Sequence, residues 1–245
     1  MAKRFTLSLN SVVSWILKFL MFLVSGYFFL SGNILFGGFS FLMLMVSLIP
    51  AIVNRSYDVN LPWSLDFLLT VWLAFSVAGE VSFYKLIWWW DDFLHFAGTA
   101  VLVYLAFVLV YALNFTKKIR LSIPFIGFFT FLIGVAFGAI WEIAEFYMWK
   151  ITSADTLAMG IPPDFEAGLI DTFSDLRLDA IGSALIALFG MRYVASQRHI
   201  KLREWMHPFV KIFGKKIQKV KAKTKEKIFE EKIRIKNKFR KPRQK

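Results

Sequence analysis

The chain has 245 residues, 57% of them hydrophobic, with 28 Phe, no Cys and a formal net charge of +13. Stretches of about 20 residues with almost no charge recur along it, which is the length a helix needs to cross a bilayer core. Such helices pair their backbone polar groups internally, as lipid requires. The composition therefore excludes a soluble globular protein, and the absence of Cys excludes disulfide and thiol chemistry. The positive charge is not spread evenly. From Gln197 onward there are 19 Lys and Arg against 4 Asp and Glu, whereas Met1 to Ser196 carries 11 against 13. The sequence reads as a nearly neutral membrane body, residues 1–195, followed by a strongly basic segment, residues 196–245.

In chain order, the apolar runs fall at Val12–Leu30, Ile34–Val53, Trp63–Ser82, Phe93–Leu113, Ile123–Trp149 and Leu176–Val194. These predict an all-α membrane protein, a bundle of six transmembrane helices. The start, MAKRF before an apolar run, imitates a signal peptide, but no small-residue cleavage site follows, so an uncleaved first helix is expected. The short SGN predicts a tight hairpin between the first two spans. NRSYDVNLP, YKLIWWWDD, NFTKKIRLS and a longer stretch containing MGIPPDF break the others. Trp88, Trp89 and Trp90 read as an aromatic belt at the membrane interface. No internal repeat stands out.

Lys and Arg near span ends favour the cytoplasmic side. With the N-terminus inside, that side holds Lys3, Arg4, Arg55, Lys117, Lys118, Arg120 and the basic tail. Lys85, Lys150 and Arg177 fall outside, beside many acids. Six spans with both termini cytoplasmic, in the inner cell membrane, satisfy the rule. Five or seven would not.

In this topology the ionisable groups of separate spans share one depth. Asp91, Asp92 and His95 sit at the outer end of the fourth span. Glu80 sits at the outer end of the third. Glu142 and Glu145 lie about 20 residues into the fifth, roughly 30 Å from its inner start at 1.5 Å per residue. Asp171, Asp175 and Asp179 open the sixth from outside. Helical phase aligns Asp91, His95 and Thr99, with Gly98 beside them. It also aligns Gly134, Gly138, Glu142 and Glu145, and Asp171, Asp175, Asp179 and Gly182 or Ser183. In each stripe a small residue lies a turn deeper than the last polar one, where it lets helices approach closely. The expectation is an outward-open polar pocket with a tightly packed floor.

Eight acids in this layer face three bases, Lys85, Lys150 and Arg177. Like charges in a low-dielectric site cannot all stay ionised alone, so some are protonated or a cation binds. Carboxylates with one imidazole suit Mg²⁺, Mn²⁺, Ca²⁺ or Fe²⁺ better than a structural zinc. The candidate metal ligands are Asp91, Asp92, His95, Glu142, Glu145, Asp171, Asp175 and Asp179. His95, Glu142 and Glu145 are the candidate catalytic groups. Plainer roles stand beside these: His95 bonding a neighbouring backbone, Glu142 or Glu145 paired with Lys150 or Arg177, Asp171 capping the last helix.

The three motifs WDDFLHF, WEIAEF and DTFSDLRLDAIGS resemble those of the YjdF-like family of uncharacterised prokaryotic inner-membrane proteins. The likeness runs from about Trp63 to Val194. They are also distantly similar to VanZ-like proteins, whose link to glycopeptide-antibiotic resistance hints at the cell envelope. This chain lacks the Arg those proteins tend to carry before the last helix's Asp. The resemblance implies a helical membrane protein with no assigned activity.

Three functions fit. One is a metal-dependent membrane hydrolase or transferase acting at the outer face on a lipid or lipid-linked envelope precursor. No nucleophile motif accompanies it; Thr172, Ser174 and Ser183 are bystanders. The second is a cation- or proton-coupled transporter. The third is a non-catalytic envelope or assembly factor. In the tail, Trp205, Phe209, Ile212, Phe213, Ile217 and Val220 recur at helical spacing among lysines. They predict an amphipathic helix on the inner membrane face, held by anionic lipids. No recognition motif favours nucleic acid.

Overall fold

Six helices long and apolar enough to cross a membrane run through the chain: Leu9–Leu30, Ile34–Tyr57, Trp63–Leu86, Trp90–Phe115, Ile123–Met148 and Phe165–Ser196. The structure is a computed structural model that describes residues 9–116, 119–151, 164–196 and 208–212. Its helices are α1 (Leu9–Leu30), α2 (Ile34–Ser47), α3 (Ile49–Tyr57), α4 (Trp63–Ala78), α5 (Tyr84–Leu86), α6 (Trp90–Phe115), α7 (Ile123–Ile151) and α8 (Phe165–Ser196). A π-helical turn, Gly79–Phe83, joins α4 to α5 within the third span. There is no strand among the described residues.

Local chemistry sets the breaks. Gly32 takes φ +82 in the SGN turn, a conformation open to glycine. Asn33 then accepts a hydrogen bond from Phe36 N at 3.2 Å and caps α2. Pro50 in the first turn of α3 has no N–H for the ladder of α2, so the second span divides there. Two turns on the same end of the bundle close alike. Asn54 Oδ1 accepts from Leu61 N at 2.8 Å, and Asn114 Oδ1 accepts from Leu121 N at 2.9 Å.

The helices pack as two groups of three. α1, α2 and α4 contact one another, as do α6, α7 and α8, and α4 joins the groups through α6. Met21, Leu44, Leu69, Leu73 and Val77 form the core of the first group. The chain is inside out by the standards of water. The buried side of α1 carries Ser14, Lys18, Met21 and Ser25, while Phe19, Phe22 and Leu23 are exposed. Lipid is as apolar as a Leu side chain, so polar contacts and close packing hold such helices together.

One of those contacts was not foreseen. Lys18 Nζ on α1 meets Asp66 Oδ1 on α4 at 2.6 Å, with side chains 3% and 26% exposed. Breaking one partner of a buried pair costs about 3–5 kcal/mol, because the other charge is left behind. The partners are not equivalent here. Asp66→Leu strands a sealed ammonium, whereas Lys18→Met leaves a carboxylate that is partly accessible. Thermal melting followed by size exclusion is therefore expected to show a larger loss for Asp66→Leu than for Lys18→Met. The double substitution should recover most of either loss; strictly additive losses would contradict the pairing.

Two expectations change. The last helix starts at Phe165, eleven residues before the expected Leu176. Hydropathy alone starts the span at its long apolar run, but the helix extends back past Asp175 and Asp171, and Asp175 is buried. Of the three tryptophans, Trp88 is 87% exposed and Trp89 is exposed, but Trp90 is only 6% exposed. It packs on Phe75 and Phe83 at ring-centre distances of 5.5 and 4.8 Å. Trp90 is a core residue rather than part of an interfacial belt.

The tail is described over residues 208–212, which are helical. Phe209 is buried with Leu65, Val108 and Ala112. Lys211 Nζ donates to Asp58 Oδ2 at 2.8 Å and to the Asp58 carbonyl. Phe209 therefore fills a protein groove rather than facing lipid. Trp205, Phe213, Ile217 and Val220 lie outside the described residues.

Candidate functional site

Three helices of the second group bring the acids together. α6 opens at Trp90, so Asp91 and Asp92 stand in its first turn, where free backbone N–H groups and the helix dipole favour carboxylates. His95 follows one turn later. α8 is capped by Asp164, whose Oδ1 accepts from Ala167 N at 2.8 Å. Asp171 is therefore not the cap, and α8 carries Asp171, Asp175 and Asp179 as one stripe. The floor below is close-packed. A Cβ at position 138 would overlap the Asp179 carboxylate, and one at 134 would overlap Ser183 and Val103. At position 182 it would lie 2.7 Å from the Phe96 carbonyl. These glycines let α6, α7 and α8 meet backbone to side chain. Gly98 does not belong to this floor, because it faces Trp72 on α4.

His95 is the hub. Its Nδ1 lies 3.4 Å from both Asp179 carboxylate oxygens. Its Nε2 faces Glu142 Oε1 at 3.7 Å, Asp91 Oδ1 at 3.9 Å and Asp175 Oδ2 at 4.0 Å. Groups from three helices thus converge on one imidazole. His95, Glu142, Glu145, Asp175 and Asp179 are buried and Asp91 is half-buried. Asp91, His95 and Asp175 offer ligand atoms within 4.8 Å of one another, and so do His95, Glu142 and Glu145. Either group could hold a metal ion.

Several of these oxygens have no hydrogen-bond partner among the described residues: both of Asp175, Oε1 of Glu142 and Oε2 of Glu80. A buried, unsatisfied polar atom costs about 1–3 kcal/mol, more when charged. Glu145 is satisfied at one oxygen by Trp141 Nε1, 2.7 Å away. The outermost acids stand apart from the hub. Asp92 Oδ1 accepts from Ser174 Oγ at 3.4 Å, and Arg177 donates to that same Ser174 at 3.3 Å. Asp171 lines a cavity of about 600 Å³ between α7 and α8, together with Glu142, Glu145 and Thr172. Asp164 also lines it, and most of the remaining wall is apolar, including Ile143, Phe146, Phe165 and Leu169.

Beside Glu80, the third span contributes a group that sequence reasoning missed, Tyr84. The π-helical turn buries Glu80, and π turns often occur at functional positions. Tyr84 folds back over Gly79, where any Cβ would meet its ring. Its hydroxyl lies within electrostatic reach of Asp91, Glu145, Glu80 and Asp175. The available signal was the Glu80–Tyr84 spacing, one turn of a helix.

The family model described as "Predicted membrane protein (DUF2238)" matches residues 11–196. The chain belongs to that family. The match spans the six helices and every acid of the site, in keeping with the resemblance drawn from the three motifs. An "Uncharacterized protein" of Thermotoga maritima is similar too, 37% identical over 117 residues, which cover 46% of this chain and 53% of the relative. The chain thus spans about half the length of that relative. No solved structure matches it.

Proposed function

We propose that this protein is a divalent-metal-dependent membrane enzyme, a hydrolase or transferase acting on a lipid or lipid-linked cell-envelope substrate. The observation that carries the reading is the set of buried oxygens around His95 Nε2. Separations of 3.7 to 4.0 Å are too long for hydrogen bonds. They suit ligands arranged around an ion with bonds of about 2.1 Å. The unpartnered oxygens of Asp175 and Glu142 are what an ion between them would satisfy.

In this reading His95 Nε2, Asp91, Asp175, Glu142 and Glu145 are the ligands. Asp179 sits behind the ring and fixes Nδ1 as the protonated nitrogen, so it positions His95 rather than binding the ion. Outer-shell carboxylates of this kind orient metal-binding imidazoles generally. Asp171 and Asp92 lie toward the entrance, in contact with substrate or water. A bound cation would polarise a phosphoryl or acyl oxygen and lower the pKa of water. The apolar cavity beside Glu142 and Glu145 accommodates the hydrocarbon part of an amphiphile. With both termini cytoplasmic the site faces outward, which a C-terminal reporter fusion checks.

Purification in the presence of Mg²⁺ or Mn²⁺, followed by desalting and elemental analysis, tests the reading. Retained metal that competes with chelator, together with metal-dependent turnover in a screen of lipid phosphates and lipid-linked esters, is the expected result. Protein that retains no divalent ion under any loading condition would refute it.

A further inference from the structure

The two candidate ligand groups, Asp91/His95/Asp175 and His95/Glu142/Glu145, share one residue. Their shared imidazole presents only Nε2 to them, because Nδ1 is turned to Asp179. One nitrogen lone pair ligates one ion. An ion seated on His95, Asp91 and Asp175 uses that lone pair, and Glu145 belongs with Glu142 to the second group.

Charge balance points the same way. Asp91, Glu142, Glu145, Asp175 and Asp179 carry five negative charges when ionised, and a metal-bound His95 is neutral. One divalent ion leaves an excess of about three charges in a low-dielectric setting, and two ions leave about one; the cost of unbalanced buried charge favours the latter. His95 lies within 4.0 Å of Asp91, Glu142, Asp175 and Asp179. Asp175 is 1% exposed, and neither of its oxygens is hydrogen-bonded among the described residues.

We propose that the site holds two divalent cations of the oxygen-seeking Mg²⁺ or Mn²⁺ class side by side. One sits on His95 Nε2, Asp91 and Asp175. The other sits on Glu142 and Glu145 at the cavity wall. Glu142, whose Oε1 is 3.7 Å from Nε2, is placed to be shared between them. This inference rests on the metal reading above and adds the number and arrangement of the ions.

The test uses the full chain in lipid nanodiscs, loaded with Mn²⁺ and freed of excess. Mn²⁺ per chain is measured by mass spectrometry and its spin state by electron paramagnetic resonance. Two ions per chain with an exchange-coupled spectrum are expected. In Glu145→Gln, whose amide oxygen still accepts from Trp141, the content is expected to halve and the spectrum to become that of an isolated ion. One ion per chain in the unaltered protein overturns the pair and leaves the metal site standing. No ion overturns both. Two uncoupled ions overturn the side-by-side arrangement, and an unchanged content in Glu145→Gln overturns the ligand assignment.

Discussion

Replacing His95 with alanine is expected to weaken retention of a divalent ion by on the order of 100-fold or more. The estimate starts from outer-shell partners, whose loss costs about 10–100-fold; a ligand should cost at least as much. His95 is the point where α6, α7 and α8 meet, and its ring supplies the candidate nitrogen ligand in both groups. Removing it leaves four carboxylates with no group to hold them at their present spacing. Asp179→Asn is the informative comparison. The amide oxygen can still accept from Nδ1–H, so the ring keeps its orientation and loses only the charge behind it. Its loss is expected to be smaller than that of His95→Ala. Equilibrium dialysis against Mn²⁺ measures both. The stabilisation by added metal, read as a shift in melting temperature, should vanish in His95→Ala and shrink in Asp179→Asn. An alanine variant that binds Mn²⁺ like the unaltered protein would remove His95 from the site.

The second large effect is steric. Gly138→Val is expected to destroy the assembly of α7 on α8. The first added carbon already falls within the Asp179 carboxylate, and that side chain is pinned by His95, so the helices must separate. Overpacking typically costs about 1–3 kcal/mol; here it also displaces the carboxylate that positions the ring. Loss of monodisperse protein on size exclusion, or a melting temperature many degrees lower, is the expected outcome. Gly26→Ala is the control, because nothing lies within 4 Å of a Cβ there. Equal behaviour of the two variants would show that the close approach at Gly138 is not required.

The six spans were legible because bilayer thickness fixes a length and hydropathy reveals it. The convergence of the acids was legible as well, since successive spans alternate in direction and helical phase fixes the face of each. Asp91, His95, Glu142, Glu145, Asp175 and Asp179 follow from those two rules. What was not legible depends on partners distant in the chain. Lys18 is a single charge in an apolar run, and its partner, Asp66, lies 48 residues away. The start of α8 was missed because acids lower hydropathy whether they face water or one another. Trp90 differs from Trp88 and Trp89 only in the direction a helix start gives it. The π-helical turn at Gly79–Phe83 has no compositional mark, and without it Tyr84 cannot be placed.

The cavity between α7 and α8 has a walled side of carboxylates and a flank of exposed Ile143, Phe146, Phe165 and Leu169. On the proposed reading, a doorway in the plane of a bilayer would change how tightly a guest must bind. An amphiphile already dissolved in the leaflet arrives by two-dimensional diffusion, at a local abundance no aqueous solute reaches, so modest affinity suffices for occupancy. Selectivity then rests on the headgroup, because every neighbouring acyl chain competes for the greasy flank. If that reading holds, detergent would compete for the same doorway, and a native-like bilayer is the proper medium in which to test it.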